Sequence, residues 1–241
     1  MIDAIVIIPT FNEIENIEAI IRSVFAQQKA FHILVVDDNS PDKTGDKVKL
    51  LQEEYSNQLF LLERKHKTGL GTAYIDGFHW CLKKDYQYIF EMDADFSHDP
   101  KDLMKLYNAC LLDEADLSIG SRYVKGVNVV NWPMNRVLMS YGASKYVRFI
   151  TRMPICDTTA GFVCYKRKVL EAIDLDAIKF VGYAFQIEMK FKAYLKKFKI
   201  VEVPVIFTDR RKGKSKLSGG IISEAIFGVV TMKFKSLIGK E

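Results

Sequence analysis

Asp93 and Asp95 stand two residues apart, directly after the apolar run Tyr88-Ile89-Phe90. A strand alternates its side chains, so both carboxylates can point into a crevice beyond the strand end. Open α/β sheets bind their ligands there. Two hard oxygen donors suit Mg²⁺ or Mn²⁺ shared with the phosphates of a nucleotide. A polar turn or helix cap accounts for an Asp-X-Asp equally well, and only the surroundings separate the two.

Those surroundings are other strand ends. Ile5 to Ile8 reads as a buried strand delivering Pro9-Thr10-Phe11-Asn12-Glu13, and Ile33 to Val36 as one delivering Asp37-Asp38. Leu117 to Gly120 delivers Ser121-Arg122. Helical spacing fills the intervals at 15–28, 42–55 and 72–84, and Asp99-Pro100 opens a further helix as cap and first-turn residue. The order β-α-β-α predicts a largely parallel sheet with helices on both faces. The second half predicts a long helix, or two, over Trp132–Arg152. It also predicts short strands near Gly161–Tyr165 and Ile200–Phe207, helices over 170–175 and 185–198, and an amphipathic helix over Ile221–Ile238.

The chain has 241 residues, 49% of them hydrophobic, which suits one α/β domain with a sizeable core and excludes a disordered chain. No signal peptide and no membrane-length apolar run is expected. Cys81, Cys110, Cys156 and Cys164 lack a C-x-x-C pairing and read as reduced thiols of a cytosolic protein. The net charge of +5 resides after residue 207, where eight Lys/Arg face three Asp/Glu; Arg122–Arg152 holds six basic residues and no acidic one. Such bias points to an anionic partner, phosphate or anionic lipid. Few aromatics interleave with the basic loop and no nucleic-acid module is recognisable, so nucleic acid is not expected.

Seven blocks carry a further signal: Pro9-Thr10-Phe11-Asn12-Glu13, Asp37-Asp38-Asn39-Ser40-Pro41-Asp42, Lys67-Thr68-Gly69-Leu70-Gly71, Met92-Asp93-Ala94-Asp95-Phe96-Ser97-His98, Gly120-Ser121-Arg122-Tyr123, Asp157-Thr158-Thr159-Ala160-Gly161-Phe162, and Arg210 through Gly213-Lys214-Ser215-Lys216. In this order, over about residues 5–217, the chain resembles the polyprenol-phosphate (dolichol-phosphate) mannose synthases, inverting nucleotide-sugar glycosyltransferases with the GT-A fold. The resemblance implies a GT-A catalytic domain over 1–217 with an interfacial helical segment at 132–152, and a C-terminal amphipathic helix over 218–241. It implies that Pro9, Phe11, Glu13, Asp38, Lys67 and Gly69 line the nucleotide pocket together with Asp93. Phe11 stands where relatives carry Tyr, so a contact by that hydroxyl is absent here. Asp93 and Asp95 would bind Mg²⁺ or Mn²⁺, with Ser97 as a weaker third ligand. Arg122, Arg136 and Arg210 would gather donor and acceptor phosphates, and Lys214 and Lys216 the lipid headgroup. Gln186 and Glu188 would lie near the sugar. Asp157 reads as a loop anchor, and His98 as a packing or capping residue.

The reaction so implied is mannose transfer from GDP-mannose to a polyprenyl phosphate, with inversion. A phosphate monoester is already largely dianionic at neutral pH, so the acceptor needs no general base. Asp95, Arg122, Arg136 and Arg210 would act in alignment and charge neutralisation. The lipid acceptor implies a peripheral protein on the cytoplasmic face of a membrane, met through 132–152 and 221–238, as a homodimer or with a separate anchoring partner. Two rivals remain. One is a glycosyltransferase using UDP-glucose or a saccharide acceptor, for which Glu188 is the available base. The other is a non-catalytic lipid-binding relative.

Overall fold

The computed structural model describes residues 2–182, 184–209 and 219–238, with only the helical backbone for 219–226. Arg210, Lys214 and Lys216 lie outside the described residues.

The first half alternates as the periodicity predicts: β1 (Ala4–Thr10), α1 (Ile17–Phe25), β2 (His32–Asp37), α2 (Thr44–Glu54), β3 (Leu59–Glu63), α3 (Leu70–Leu82) and β4 (Tyr88–Glu91). A 3-10 turn at Pro100–Asp102 leads into α4 (Leu103–Leu111), then β5 (Leu117–Ser121). The turn is capped by Asp99, which accepts from the Lys101 N–H at 3.0 Å. The second half contains β6 (Val129–Val130), α5 (Met134–Thr151), β7 (Val163–Lys166), α6 (Arg167–Ala172), α7 (Ala184–Leu195), β8 (Ile200–Pro204), β9 (Phe207–Thr208) and α8 (Gly219–Leu237).

Among the described residues, one seven-stranded sheet runs β3-β2-β1-β4-β7-β5-β8, and β6 pairs with β9 in a small ribbon. The sheet is parallel except for β7, which lies antiparallel between β4 and β5. This insertion is a departure from simple β-α-β winding: the start of β7 reaches the edge where β4 and β5 end. The strand expected over 200–207 divides in two. β8 follows β5 as far as Pro204, and Phe207 turns away to pair with Val129. The predicted 132–152 segment is one continuous helix, entered at Pro133 and stopped by Arg152 in a left-handed conformation (φ 62°).

Consecutive apolar residues in β1 and β2 serve opposite faces. Ile5, Ile7, Leu34 and Val36 pack with Tyr74, Phe78 and Phe185 on one side. Val6, Ile8, Ile33 and Val35 pack with Ile17, Ile20, Ile21 and Val24 of α1 on the other. A sheet covered on both faces needs such continuous runs. Phe78 is fully buried and meets Tyr165 edge-on at 5.5 Å. Phe78→Ala should cost about 3–5 kcal/mol, seen as a lowered urea midpoint with unchanged slope in equilibrium unfolding.

Candidate active site

Parallel register carries the acidic strand ends to one edge. Ile7 pairs with Glu91 and Thr10 with Asp37, so Phe11, Asp38 and Asp93 all emerge beyond the same edge of the sheet, with Pro9 in the last rungs of the β1 pairing. There the structure forms two adjoining groups of residues.

The first group joins the ends of β1 and β2. Asp38 is buried and paired with Arg64 at 2.7 Å. Burial raises the Asp38 carboxyl above its ordinary range despite the pull of Arg64. Lys67 holds its ammonium 4.4 Å from the centre of the Phe11 ring. The Glu13 N–H donates to Thr44 Oγ1 at 3.0 Å, and Glu13 Oε2 accepts from Asn16 at 3.0 Å. Gly69 and Gly71 serve close packing: a Cβ at 69 would lie 2.9 Å from Val181, and one at 71 would lie 2.8 Å from the Phe180 carbonyl. Gly69 also sits at φ +123°, where a side chain is strained. Arg64, absent from the sequence expectations, belongs to this group.

The second group surrounds a groove of about 460 Å³ between the end of β4 and α5. Asp93, Asp95, Ser97, Arg122, Arg136 and Gln186 all line it, and so do Leu70, Met139, Tyr146, Val147 and Ile187. Phe96 takes the left-handed region (φ 63°), uncommon for a bulky residue. The chain there folds back so that the Ser97 N–H donates to Asp95 Oδ1 at 3.1 Å. His98 is buried, stacked on Phe162 with ring centres 4.8 Å apart, and its Nδ1 accepts from the Asp93 N–H at 3.0 Å. Burial pulls its ring down to about 4, so the imidazole is neutral and the proton resides on Nε2. His98 thus caps the turn, as expected.

Asp93 and Asp95 form an all-oxygen donor pair. Ser97 Oγ is buried without a hydrogen-bond partner among the described residues. That set fits a hard divalent cation whose remaining positions go to phosphate oxygens or water. Among the described residues no three His, Cys, Asp or Glu side chains converge into a closed metal cage.

Arg122 is buried and held by Asp157: Nε donates to Oδ2 and Nη2 to Oδ1, each at 2.6 Å, and the Arg122 N–H donates to Oδ2 at 2.9 Å. Thr159 accepts a further bond at 2.9 Å. The rings of Tyr123, Trp132 and Phe207 stand 5.2–5.4 Å from the guanidinium carbon. Glu202 on β8 in turn accepts from the Cys156 and Asp157 N–H groups at 2.7 and 2.8 Å. Asp157 is therefore an anchor, and Glu202 its support from a strand that sequence reasoning did not connect with the site. Arg136 stacks over Trp132 at 4.0 Å and pairs with Asp209 at 2.7 Å. Trp132 thus belongs to an arginine-binding aromatic cluster.

Glu188 does not line the groove. Its Oε2 accepts from the Lys179 and Phe180 N–H groups at 2.9 and 3.1 Å, tying down the loop before α7. Below the groove, Gln186 donates to Glu91 at 2.7 Å and accepts from Lys190 at 3.1 Å. Burial pushes the Glu91 carboxyl up while the charge of Lys190 pulls it back, and burial pulls Lys190 down while the charge of Glu91 holds it up. A carboxylate inside the run Tyr88-Ile89-Phe90-Glu91 was a visible anomaly in the sequence. Lys190 carried no such signal.

Residues 5–174 match the family model for glycosyl transferase family 2. The chain is 47% identical over 225 residues to the polyprenol monophosphomannose synthase of Mycolicibacterium smegmatis, covering 93% of this chain and 84% of that one. It is 44% identical to the undecaprenyl-phosphate mannosyltransferase of Micrococcus luteus, covering 92% and 90% of the two chains. Among solved structures, the glucosyl-3-phosphoglycerate synthase of Mycobacterium tuberculosis, crystallised with Mn²⁺, UDP and phosphoglyceric acid, superposes with a TM-score of 0.73 at 15% identity, over 96% of this chain and 78% of that one.

Removing one member of a buried ion pair costs about 3–5 kcal/mol, because the other charge is stranded. Asp157→Ala should lose about that much stability and most activity, whereas Thr159→Val should lose far less of both; thermal melting and initial rates check the pair.

Proposed function

The chain belongs to glycosyl transferase family 2, on its polyprenyl-phosphate mannose synthase branch, and from that premise we propose that it transfers mannose from GDP-mannose to a polyprenyl phosphate with inversion at the anomeric carbon. The observation that carries this reading is the composition of the groove. It is lined by Asp93, Asp95, Arg122 and Arg136 and also by Met139, Gly142, Ala143 and Tyr146 of α5. A reactant with an anionic head and a hydrocarbon tail matches both kinds of lining.

In this reading Phe11, Glu13, Asp38 and Lys67 receive the nucleotide, and Pro9 and Gly69 shape the backbone around it. Asp93 and Asp95, helped by Ser97 Oγ, hold Mg²⁺ or Mn²⁺, which when bound supplies Lewis-acid stabilisation of the leaving diphosphate. The residues meet the acceptor phosphate with charge: Arg136 from α5, and Arg122 through whichever part of its guanidinium lies beyond the Asp157 clamp. An oxygen of the dianionic acceptor attacks C1 of mannose as the C1–O bond to the diphosphate breaks, and the electron pair leaves with GDP. No proton has to be removed from the nucleophile, so no base is required. The engagement of Glu188 with backbone amides supports a phosphate acceptor over a saccharide hydroxyl. Arg210, Lys214 and Lys216 complete the proposed phosphate-binding set.

Two helices support contact with a membrane surface. On α5, Met134, Leu138, Tyr141 and Phe149 are exposed, spaced along one stripe; on α8, Phe227, Val230, Phe234 and Leu237 are exposed likewise. Phe149 is 82% and Phe227 74% exposed, which a helix face turned to water alone does not favour. Arg148, Lys233 and Lys235 border these stripes and Lys145 stands over Tyr141 within the α5 stripe; basic residues beside apolar ones suit shallow insertion at an anionic surface. Among the described residues no helix is long and apolar enough to cross a membrane. The proposed layout is a catalytic unit over 1–217 and an interfacial helix within 218–241, on the cytoplasmic face.

Radiolabelled sugar should pass from GDP-mannose to polyprenyl phosphate in detergent with Mg²⁺ or Mn²⁺, and not with EDTA. Asp95→Asn should lower kcat by about 10²–10³-fold, the size seen when one charge-stabilising group is removed. Labelling from UDP-glucose alone would overturn the donor assignment. The membrane reading predicts sedimentation with anionic vesicles that weakens with salt and is lost in Phe234→Ser/Leu237→Ser; equal sedimentation with and without vesicles would sink it.

A further inference from the structure

Lys190 on α7 has no exposure to solvent, a costly position unless every donor and the charge itself are met. Its three donors are all used, by Ala160 O at 2.6 Å and by Gln186 O and Oε1 at 3.1 Å each. None of these acceptors is charged. The opposite charge lies one step further on, where Gln186 Nε2 donates to Glu91 Oε2 at 2.7 Å. Only one orientation of the Gln186 amide satisfies both neighbours; the flipped amide would turn NH₂ to an ammonium and oxygen to a carboxylate.

This relay joins two segments that the sheet does not hold in register. The β4–β7 ladder ends at the pair Glu91 and Val163. Asp93 and Asp95 lie beyond that pair on one chain segment, and Ala160, Thr159 and Asp157 lie beyond it on the other. Past the last rung, side chains set the separation. We propose that Lys190 is a positioning residue for mannosyl transfer: its ammonium ties the Ala160 carbonyl to Glu91 through Gln186, and so fixes the spacing between the Arg122 clamp and the Asp93/Asp95 pair. The inference rests on the transfer reading above and adds to it a residue that touches no reactant.

The test compares Lys190→Met, Glu91→Gln and the double variant E91Q/K190M with the unaltered protein. The readouts are kcat and KM for GDP-mannose, thermal melting, and Mn²⁺ binding in the presence of GDP, followed by the electron paramagnetic resonance of free Mn²⁺. Lys190→Met should lower kcat and weaken Mn²⁺ binding by about 10–100-fold, the range for groups that orient metal ligands from behind, with a smaller change in KM. In the double variant no charge is stranded, so adding Lys190→Met to Glu91→Gln should cost about threefold or less, a large coupling between neighbours. Should Lys190→Met melt below the assay temperature, all four proteins are compared at a temperature below its melting point, so that the cycle stays complete. Unchanged kcat and Mn²⁺ binding in Lys190→Met would overturn the proposal, as would fully additive losses in the double variant. An unaltered protein that labels no lipid would overturn the transfer reading instead, and the Mn²⁺–GDP arm would still decide whether Lys190 orients the carboxylate pair.

Discussion

Parallel pairing of β1, β2 and β4 brings three carboxyl-terminal strand ends to one edge of the sheet, and the chemistry of the chain is built on that alignment. Backbone hydrogen bonds fix the register to the residue, so Phe11, Asp38 and Asp93 emerge at one edge without any contact among their side chains being needed. The antiparallel β7 adds a fourth contribution at the same edge, because a strand entering there brings its preceding loop. That loop holds Asp157, Thr159 and Ala160.

Grouping carboxylates at one edge creates an electrostatic problem, which the molecule meets by giving buried anions nearby partners. Asp38 has Arg64, Asp157 has Arg122, and Glu91 has Lys190 through Gln186. A buried pair contributes little net stability, since desolvation offsets attraction, but losing one partner is expensive. The pairs therefore act as constraints: each ties together segments distant in sequence. Asp93 and Asp95, next to a Ser97 Oγ that is buried without a hydrogen-bond partner among the described residues, have the donor character of a cation site.

The helical layer beside the groove reverses the usual pattern. Ser144, Val147 and Thr151 of α5 are buried while Leu138 and Phe149 are exposed. The same helix lines the groove with Met139, Ala143 and Tyr146. One helix thus connects a charged cleft with an outward apolar stripe, and α8 extends that stripe alongside. The hydrophobic effect disfavours such exposure, and the proposed membrane contact would relieve it.

Strand and helix positions in the first half were legible in the sequence, because continuous runs such as Ile5-Val6-Ile7-Ile8 and the 3.6-residue spacing of Ile17, Ile20, Ile21 and Val24 report local periodicity. The motifs around Asp93, Arg122 and Asp157 identified the family by resemblance. The insertion of β7, the split between β8 and β9, the service of Glu202 to the Asp157 loop and the burial of Lys190 were not legible. Each depends on which segment packs beside which, over separations of tens of residues. Local spacing encodes the period of an element and the face it buries. Only the folded chain decides whether a lysine on a helix meets water or, as at position 190, a carbonyl and an amide that replace water's hydrogen bonds.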